Sequence, residues 1–262
     1  MSDEEILRYW REQAREHGVS HAASWSDRYA IELEYKEMLA RIEEGDRILD
    51  IGCANGYKTL RLAAARRVSI RGVDSAPEMI EQARQALTAG PNLPSELEFD
   101  VGDIMELDEP SDAYDKVIVT RVVINVGAWE RQRRALLEAV RVVKPGGILL
   151  LSEACLQGWN AINRLRGEWG LEPIPMPAFN NYLDSDQVVE LLSPQATLVE
   201  LVNFSSSYYV GTRLLKPLLA QATGAQLDVA DPDTEWNRFW SQVPAAGDYG
   251  TQVLFVFRKR AE

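Results

Sequence analysis

Residues 47–57 read Arg-Ile-Leu-Asp-Ile-Gly-Cys-Ala-Asn-Gly-Tyr. The apolar run Ile48–Ile51 has the length of a buried strand, and it ends in a turn bracketed by Gly52 and Gly56 that opens a helix over Tyr57–Arg66. A strand that finishes this way offers backbone N–H groups and a helix N-terminus to whatever lies above the sheet. Gly52 and Gly56 let main chain approach a ligand where a Cβ would collide. Asp50, at the strand's carboxyl end, is placed to accept from a cationic or amine-bearing ligand. The stretch reads as a nucleotide-type cofactor site. It departs from the dinucleotide pattern G-x-G-x-x-G, because Ala54 stands at the second glycine and Tyr57 at the third.

From Ile48 onward strand and helix patterns alternate, which predicts a parallel sheet with right-handed crossovers. The expected strands are Ile48–Ile51, Val68–Val73, Glu96–Val101, Tyr114–Thr120, Ile148–Glu153, Ala196–Phe204 and Thr251–Phe257. The last is continuously apolar from Val253 to Phe257, as for a strand covered on both faces. Ser75 reads as an N-cap, with Pro77 in the first turn and Glu78 closing a capping box. Pro91 and Pro94 end that helix, a second helix covers Trp129–Val143, and Lys144-Pro145-Gly146-Gly147 turns the chain into the fifth strand. Upstream, Leu7, Trp10 and Ala14 share one face of a first helix, and Ile31, Tyr35, Met38, Leu39 and Ile42 mark a second. One domain results: an N-terminal helical lid (1–45), a cofactor-binding core (46–153), and cap insertions at 154–183 and 205–247.

The bulk numbers narrow the partners. With 262 residues, 46% hydrophobic and 26% charged, the chain can bury one sizeable core. A formal charge of −12 argues against broad contact with nucleic-acid phosphates. No apolar stretch approaches the roughly 20 residues that span a bilayer, and the acidic start Met1-Ser2-Asp3-Glu4-Glu5 argues against a signal peptide. Cys53 and Cys155 are too few for a disulfide framework or a zinc cluster, which suits a reducing cytoplasm. No acid pair with metal-ligand spacing stands out, so no metal is expected. Monomer and homodimer both stay open.

Further acids close the second and third strands. Asp74 lies 22 positions past Gly52, where a carboxylate can take both ribose hydroxyls; that spacing suits nicotinamide cofactors as well. The third strand ends in Val101-Gly102-Asp103-Ile104. Asp50-Ile51-Gly52-Cys53-Ala54-Asn55-Gly56, this strand end and the Lys-Pro-Gly-Gly turn stand in the order and spacing that resemble the class I S-adenosylmethionine-dependent methyltransferases, from about Asp46 to Glu153. Ala54 replaces the middle glycine of that family's loop, a mild departure. The resemblance implies a three-layer, Rossmann-like α/β sandwich with a mostly parallel seven-stranded sheet, extended by the N-terminal helices and by cap insertions after the fifth and sixth strands. It implies S-adenosyl-L-methionine as cofactor and S-adenosyl-L-homocysteine as product. It also implies the cofactor residues: the loop Gly52, Cys53, Ala54, Asn55 and Gly56; Asp50 on the methionine amino end; and Asp74 on the ribose, with Ser75 beside it. Asp103 would accept the adenine amino group, with Gly102 preceding it and Ile104 packing the ring. Met79 is either an adenine neighbour or core. Thr120 and Arg121 follow the fourth strand, where the methionyl part lies, and Arg121 could equally pair with an anionic substrate group or a surface acid.

The expected reaction is in-line methyl transfer to oxygen or nitrogen of a small-molecule metabolite. A protein or carrier-bound acceptor, or a catalytically silent cofactor-binding subunit, are the alternatives. An alcohol acceptor would need a general base. The two histidines, His17 and His21, lie in the loop between the N-terminal helices, and His21 is the candidate base. Trp25 and Tyr29 of the same loop are candidates to close over the methionine end. Glu153, at the end of the fifth strand, is the candidate carboxylate for an acceptor amine or its proton. The acceptor pocket is expected from the cap aromatics Trp159, Tyr182 and Tyr208, with Asn125, Asn163, Arg166 and Asn181 supplying polar orientation.

Overall fold

A computed structural model describes residues 2–90, 92–225 and 228–261; Pro91, expected to help end a helix, lies outside them. The core is a seven-stranded sheet in the order β3-β2-β1-β4-β5-β7-β6. Its strands are β1 Arg47–Ile51, β2 Ser69–Asp74, β3 Glu96–Val101, β4 Tyr114–Thr120, β5 Val143–Ala154, β6 Ala196–Val202 and β7 Gln252–Lys259. Neighbouring pairs from β3 to β5 are parallel, whereas β7 runs antiparallel to both β5 and β6. The strand order reverses between β1 and β4, and the crevice opens above their carboxyl ends.

Alternate residues of each strand point to opposite faces. Leu49, Ile51, Val117, Val119, Leu149, Leu151 and Phe255 join one apolar layer, under α5 (Trp129–Arg141) and α7 (Ser185–Leu192). Ile48, Ile70, Ile118, Leu150 and Leu254 join the other, with Leu62 of α3 (Tyr57–Ala65) and Met38 of α2 (Arg28–Leu39). This two-sided burial explains why the strands read as continuous apolar runs. The second N-terminal helix, α2, thus belongs to the sheet's covering layer as well as to the approach to the crevice.

Two local expectations are corrected. The N-cap of α4 (Pro77–Ala89) is Ala76, not Ser75, and no side chain caps the helix from that position. Instead Asp74 Oδ1 accepts from Ala76 N–H at 2.9 Å, so the strand-end acid takes over the capping role. The Lys144–Gly147 segment is no separate turn; it lies within β5, where the register with β4 shifts across an irregularity.

Helix α1 (Asp3–His17) begins with a capping box, Ser2 with Glu5, and lies across the crevice. Arg11 and Arg15 pair with Glu78 of α4 at 3.2 and 3.0 Å, and Asp3 pairs with Arg131 of α5 at 2.8 Å. Its Tyr9 and Trp10 rings meet Phe179 from a proline-rich arm, residues 170–183 with Pro173, Pro175 and Pro177. After β5, α6 (Leu156–Glu168) leads into that arm. After β6 come α8 (Ser206–Tyr209), a π-helical stretch Val210–Leu215, α9 (Lys216–Thr223) and α10 (Glu235–Trp240). This elaboration locks onto the start of α2: Asp27 accepts from Tyr208 Oη and Arg213 Nη2, both at 2.7 Å. Among the described residues no helix is long and apolar enough to cross a membrane.

Candidate active site

The bend after β1 is built on backbone that side chains disfavour. Gly52 and Gly56 have φ of 72° and 75°, a region where L-residues are strained. At Gly52 a Cβ would overlap Cγ2 of Val122, and at Gly56 it would sit 2.8 Å from Phe99 Cζ. Gly52 and Cys53 N–H groups both donate to the carbonyl of Val73 at 2.8 and 3.0 Å, fastening the bend to β2. Asn55 is buried and donates to the carbonyls of Gly18 and Ser20, both at 2.7 Å, so the bend also anchors the loop between α1 and α2.

Four strand ends converge above this bend on one cavity. Gly52, Cys53, Ala54 and Asn55 line it from β1, Asp74 and Ser75 from β2, and Gly102, Asp103 and Ile104 from β3. Thr120 and Arg121 line it from β4, and Met79 and Asn125 complete the expected residues found there. Leu7 and Trp10 of α1 form the opposite wall, packed against Ala54, Ala76 and Met79. Asp74 bridges the bend to α4, accepting from Ala54 N–H at 3.0 Å and Ala76 N–H at 2.9 Å. Burial raises its carboxyl to about 6, although both N–H groups pull the other way; the negative charge of Asp50 adds to the rise. Asp103 is solvent-exposed and accepts from Met105 N–H at 2.9 Å, which orients one carboxylate oxygen.

Asp50 is fully buried beneath the bend and does not itself line the cavity. Its Oδ2 accepts from Thr59 Oγ1 at 2.6 Å, while Oδ1 has no hydrogen-bond partner among the described residues. The nearest cation is Lys58, whose Nζ is 3.6 Å from Oδ1 and donates to Thr120 Oγ1. Arg121, at φ 54°, turns its guanidinium to buried Glu34 of α2 at 2.5 Å and over the Trp25 ring at 5.1 Å. Glu34 Oε1 accepts in turn from Ser152 Oγ at 2.6 Å. Glu34, Lys58, Leu7 and Trp10 all line the cavity, and no local motif in the sequence marks them for it.

The remaining expected residues stand elsewhere. Trp25 and Gly56 do not line the cavity; Trp25 packs in the cluster with Tyr29, Ala30 and Tyr208, and Gly56 caps α3. His21 lies outside too, its ring 5.8 Å from that of Tyr57. Glu153 is fully buried, and its carboxylate accepts from the N–H groups of Val122 and Val123 at 2.8 Å and Ile124 at 3.4 Å. It holds the turn after β4 rather than facing an acceptor. Asn125 reinforces that turn by donating to the Arg121 carbonyl at 2.8 Å, while its own Oδ1 is buried without a partner among the described residues.

The cap residues are likewise structural. Trp159 Nε1 and Asn163 Nδ2 both donate to the Ile174 carbonyl, and Arg166 Nε and Nη2 donate to that of Glu172. Tyr182 packs edge-on against Trp159, and Asn181 joins Ile124 and Gln132 through its backbone. Tyr208 is buried on Asp27. They fasten the arm and cap to the body, and the cavity's wall comes from α1 and α2 instead.

Comparison with known proteins places this geometry. A family model described as a methyltransferase domain matches residues 48–147, from β1 into β5. The 27-O-demethylrifamycin SV methyltransferase of Amycolatopsis mediterranei is 30% identical over 116 residues, 44% of this chain and 41% of that protein. The chain spans about half or less of the length of the first curated relatives it matches. Among solved structures, a methyltransferase of Haloferax volcanii in complex with its Trm112 activator superposes with a TM-score of 0.63 at 19% identity, over 97% of this chain and 98% of that one. Magnesium protoporphyrin IX methyltransferase from Synechocystis PCC 6803, with S-adenosylhomocysteine bound, gives 0.59 at 15% identity over 97% and 94%. At these identities the structures speak for the fold.

Proposed function

We propose that the chain is a class I S-adenosylmethionine-dependent methyltransferase, and that it transfers a methyl group to oxygen or nitrogen of a small organic molecule. The observation that carries the reading is the convergence of Asp74, Asp103 and the Gly52–Asn55 bend on one cavity walled by α1. The residues fit the cofactor: the buried Oδ1 of Asp50 has no hydrogen-bond partner among the described residues, only Lys58 Nζ at 3.6 Å, and the bend is free of Cβ at its tightest point.

S-adenosylmethionine supplies a methyl group already activated by its sulfonium. The protein's part is alignment. In this reading Asp74 takes the ribose hydroxyls, Asp103 the adenine amino group with Ile104 and Met79 against the ring, and Asp50, reached past Lys58, the methionyl ammonium. The acceptor would approach from the side of Glu34, Arg121 and Asn125, between α2 and the turn after β4. Positioning of this kind can supply roughly 7–11 kcal/mol of a barrier. Glu153 and Asn125 keep the turn after β4 rigid, which fixes Arg121 and Val122 against the bend. Neither Glu34, engaged by Arg121 and Ser152, nor buried Glu153 stands free as a base, which favours an amine or an already acidic hydroxyl.

The small-molecule preference draws on the wall that Leu7 and Trp10 of α1 form across the cavity, and on a relative whose name records a small acceptor. The test is incubation of a cell extract with protein and S-adenosylmethionine labelled in its methyl group. Label is expected in the small-molecule fraction. Label confined to protein, or none transferred while S-adenosylhomocysteine still binds, would displace this reading.

A further inference from the structure

The methionyl end of the cofactor carries an ammonium and a carboxylate on one carbon. A site that recognises both must hold an anion and a cation a few ångströms apart, neither fully satisfied by the other. The junction of β1 and α3 has that arrangement. Asp50 stands one residue before the end of β1, and Lys58 is the second residue of α3, whose first turn adds positive dipole. Asp50 Oδ1 and Lys58 Nζ are 3.6 Å apart, an ion-pair distance too long for a good hydrogen bond. Oδ2 is taken by Thr59, leaving Oδ1 buried and unpartnered among the described residues. Lys58 lines the cavity with its side chain 11% exposed, and of its three donors one is directed at Thr120 Oγ1.

The other cations on the cavity wall are committed. Arg121 is neutralised by buried Glu34 and lies over Trp25. Arg131 is paired with Asp3 and donates to the Val126 carbonyl at 2.5 Å, under α1. Relying on the cofactor reading above, we propose that Lys58 binds the methionyl carboxylate, and that Asp50 and Lys58 together read the amino-acid zwitterion. Arg121 then belongs to the acceptor side, held by Glu34. Asp50 lies buried behind Lys58, which itself lines the cavity, so Lys58 must swing off that carboxylate toward the cofactor's own before the ammonium can take Asp50 Oδ1, and the charges then alternate around the ring of four groups.

The experiment is calorimetry with S-adenosylhomocysteine and its decarboxylated form, on the wild type, Lys58→Met and Lys58→Arg. The wild type is expected to prefer the carboxylate-bearing compound by about 10- to 100-fold, the scale of one charge-assisted contact. Lys58→Met should lose that preference and bind the decarboxylated compound about as well as the wild type does, within about threefold. Lys58→Arg should keep most of it. The ratio of two ligands on one protein does not depend on how much of a sample is folded, so a destabilised Lys58→Met still reports the preference. An undiminished preference in Lys58→Met, equal weakening of both ligands, or a wild type that binds both equally would overturn the assignment. A wild type that binds neither overturns the cofactor reading as well.

Discussion

The proposed assignment of Asp74 to the ribose predicts a cofactor affinity that depends on pH in a way that can be worked out in advance. Burial raises the carboxyl from 3.8 to about 6 in the free protein, against the pull of the Ala76 and Ala54 N–H groups and aided by the charge of Asp50. A carboxylate that accepts from both ribose hydroxyls must be ionised, so binding selects the ionised form. Below about pH 6 the free protein holds a proton that must leave first, and apparent affinity falls with the ionised fraction. That fraction is about 0.9 near pH 7 and about 0.1 near pH 5, so affinity should drop about tenfold across the window, or ~1.4 kcal/mol. The α-carboxyl of S-adenosylhomocysteine titrates below about pH 4 and its α-amino group above about pH 7, leaving the window clear. Calorimetric titration across it should show affinity rising with pH and levelling off. Asp74→Asn should bind about 10- to 100-fold more weakly at neutral pH and show no slope. A flat wild-type profile, or a slope that survives in Asp74→Asn, would refute the ribose assignment.

Three more predictions concern the supporting structure. Gly52→Ala should destabilise the fold by about 2–5 kcal/mol, combining left-handed backbone with overlap on Val122; adding Val122→Ala should restore the overlap part in thermal unfolding, and an unchanged midpoint in Gly52→Ala would contradict this. Glu153 is pushed up from 4.5 to about 7 by burial, against its three backbone donors, so the stability it contributes is present at low pH and is lost as pH rises through about 7. Glu153→Gln removes that component, and its stability relative to wild type in urea should improve between about pH 5 and pH 8; a constant difference would be inconsistent. His21 packs toward Tyr57 outside the cavity, so His21→Gln should leave turnover within about twofold, whereas a loss of 100-fold or more would make it the base.

The half of the cavity built from the ends of β1, β2 and β3 was legible because its signals are local. A strand, a glycine that tolerates φ near 72° and acids at successive strand ends lie within a few residues of one another, and backbone geometry brings them together. The rest of the cavity wall was not. Trp159, Asn163 and Tyr208 look in sequence like pocket residues, but an aromatic that seals a cap has the same local signature as one that lines a cavity. Only long-range contacts, such as Trp159 with Ile174 and Tyr208 with Asp27, separate the cases. Glu153 shows the same difficulty: its place at a strand end was readable, but not the turn whose N–H groups would claim it. Conversely Leu7 and Trp10 were visible as a helical stripe, and their burial against Ala54 and Met79 was not. The reversed direction of β7 is likewise invisible in its apolar run Val253–Phe257, because direction is set by where β6 and the cap leave the chain.

Titration of S-adenosylhomocysteine into the protein beside an equal titration of NAD tests the central assignment most directly. Saturable heat from the first, one molecule per chain, weakened when Asp103 is changed to Asn, and none from the second, is the result expected of a crevice built from these strand ends. Silence from S-adenosylhomocysteine while NAD saturates the protein would contradict it.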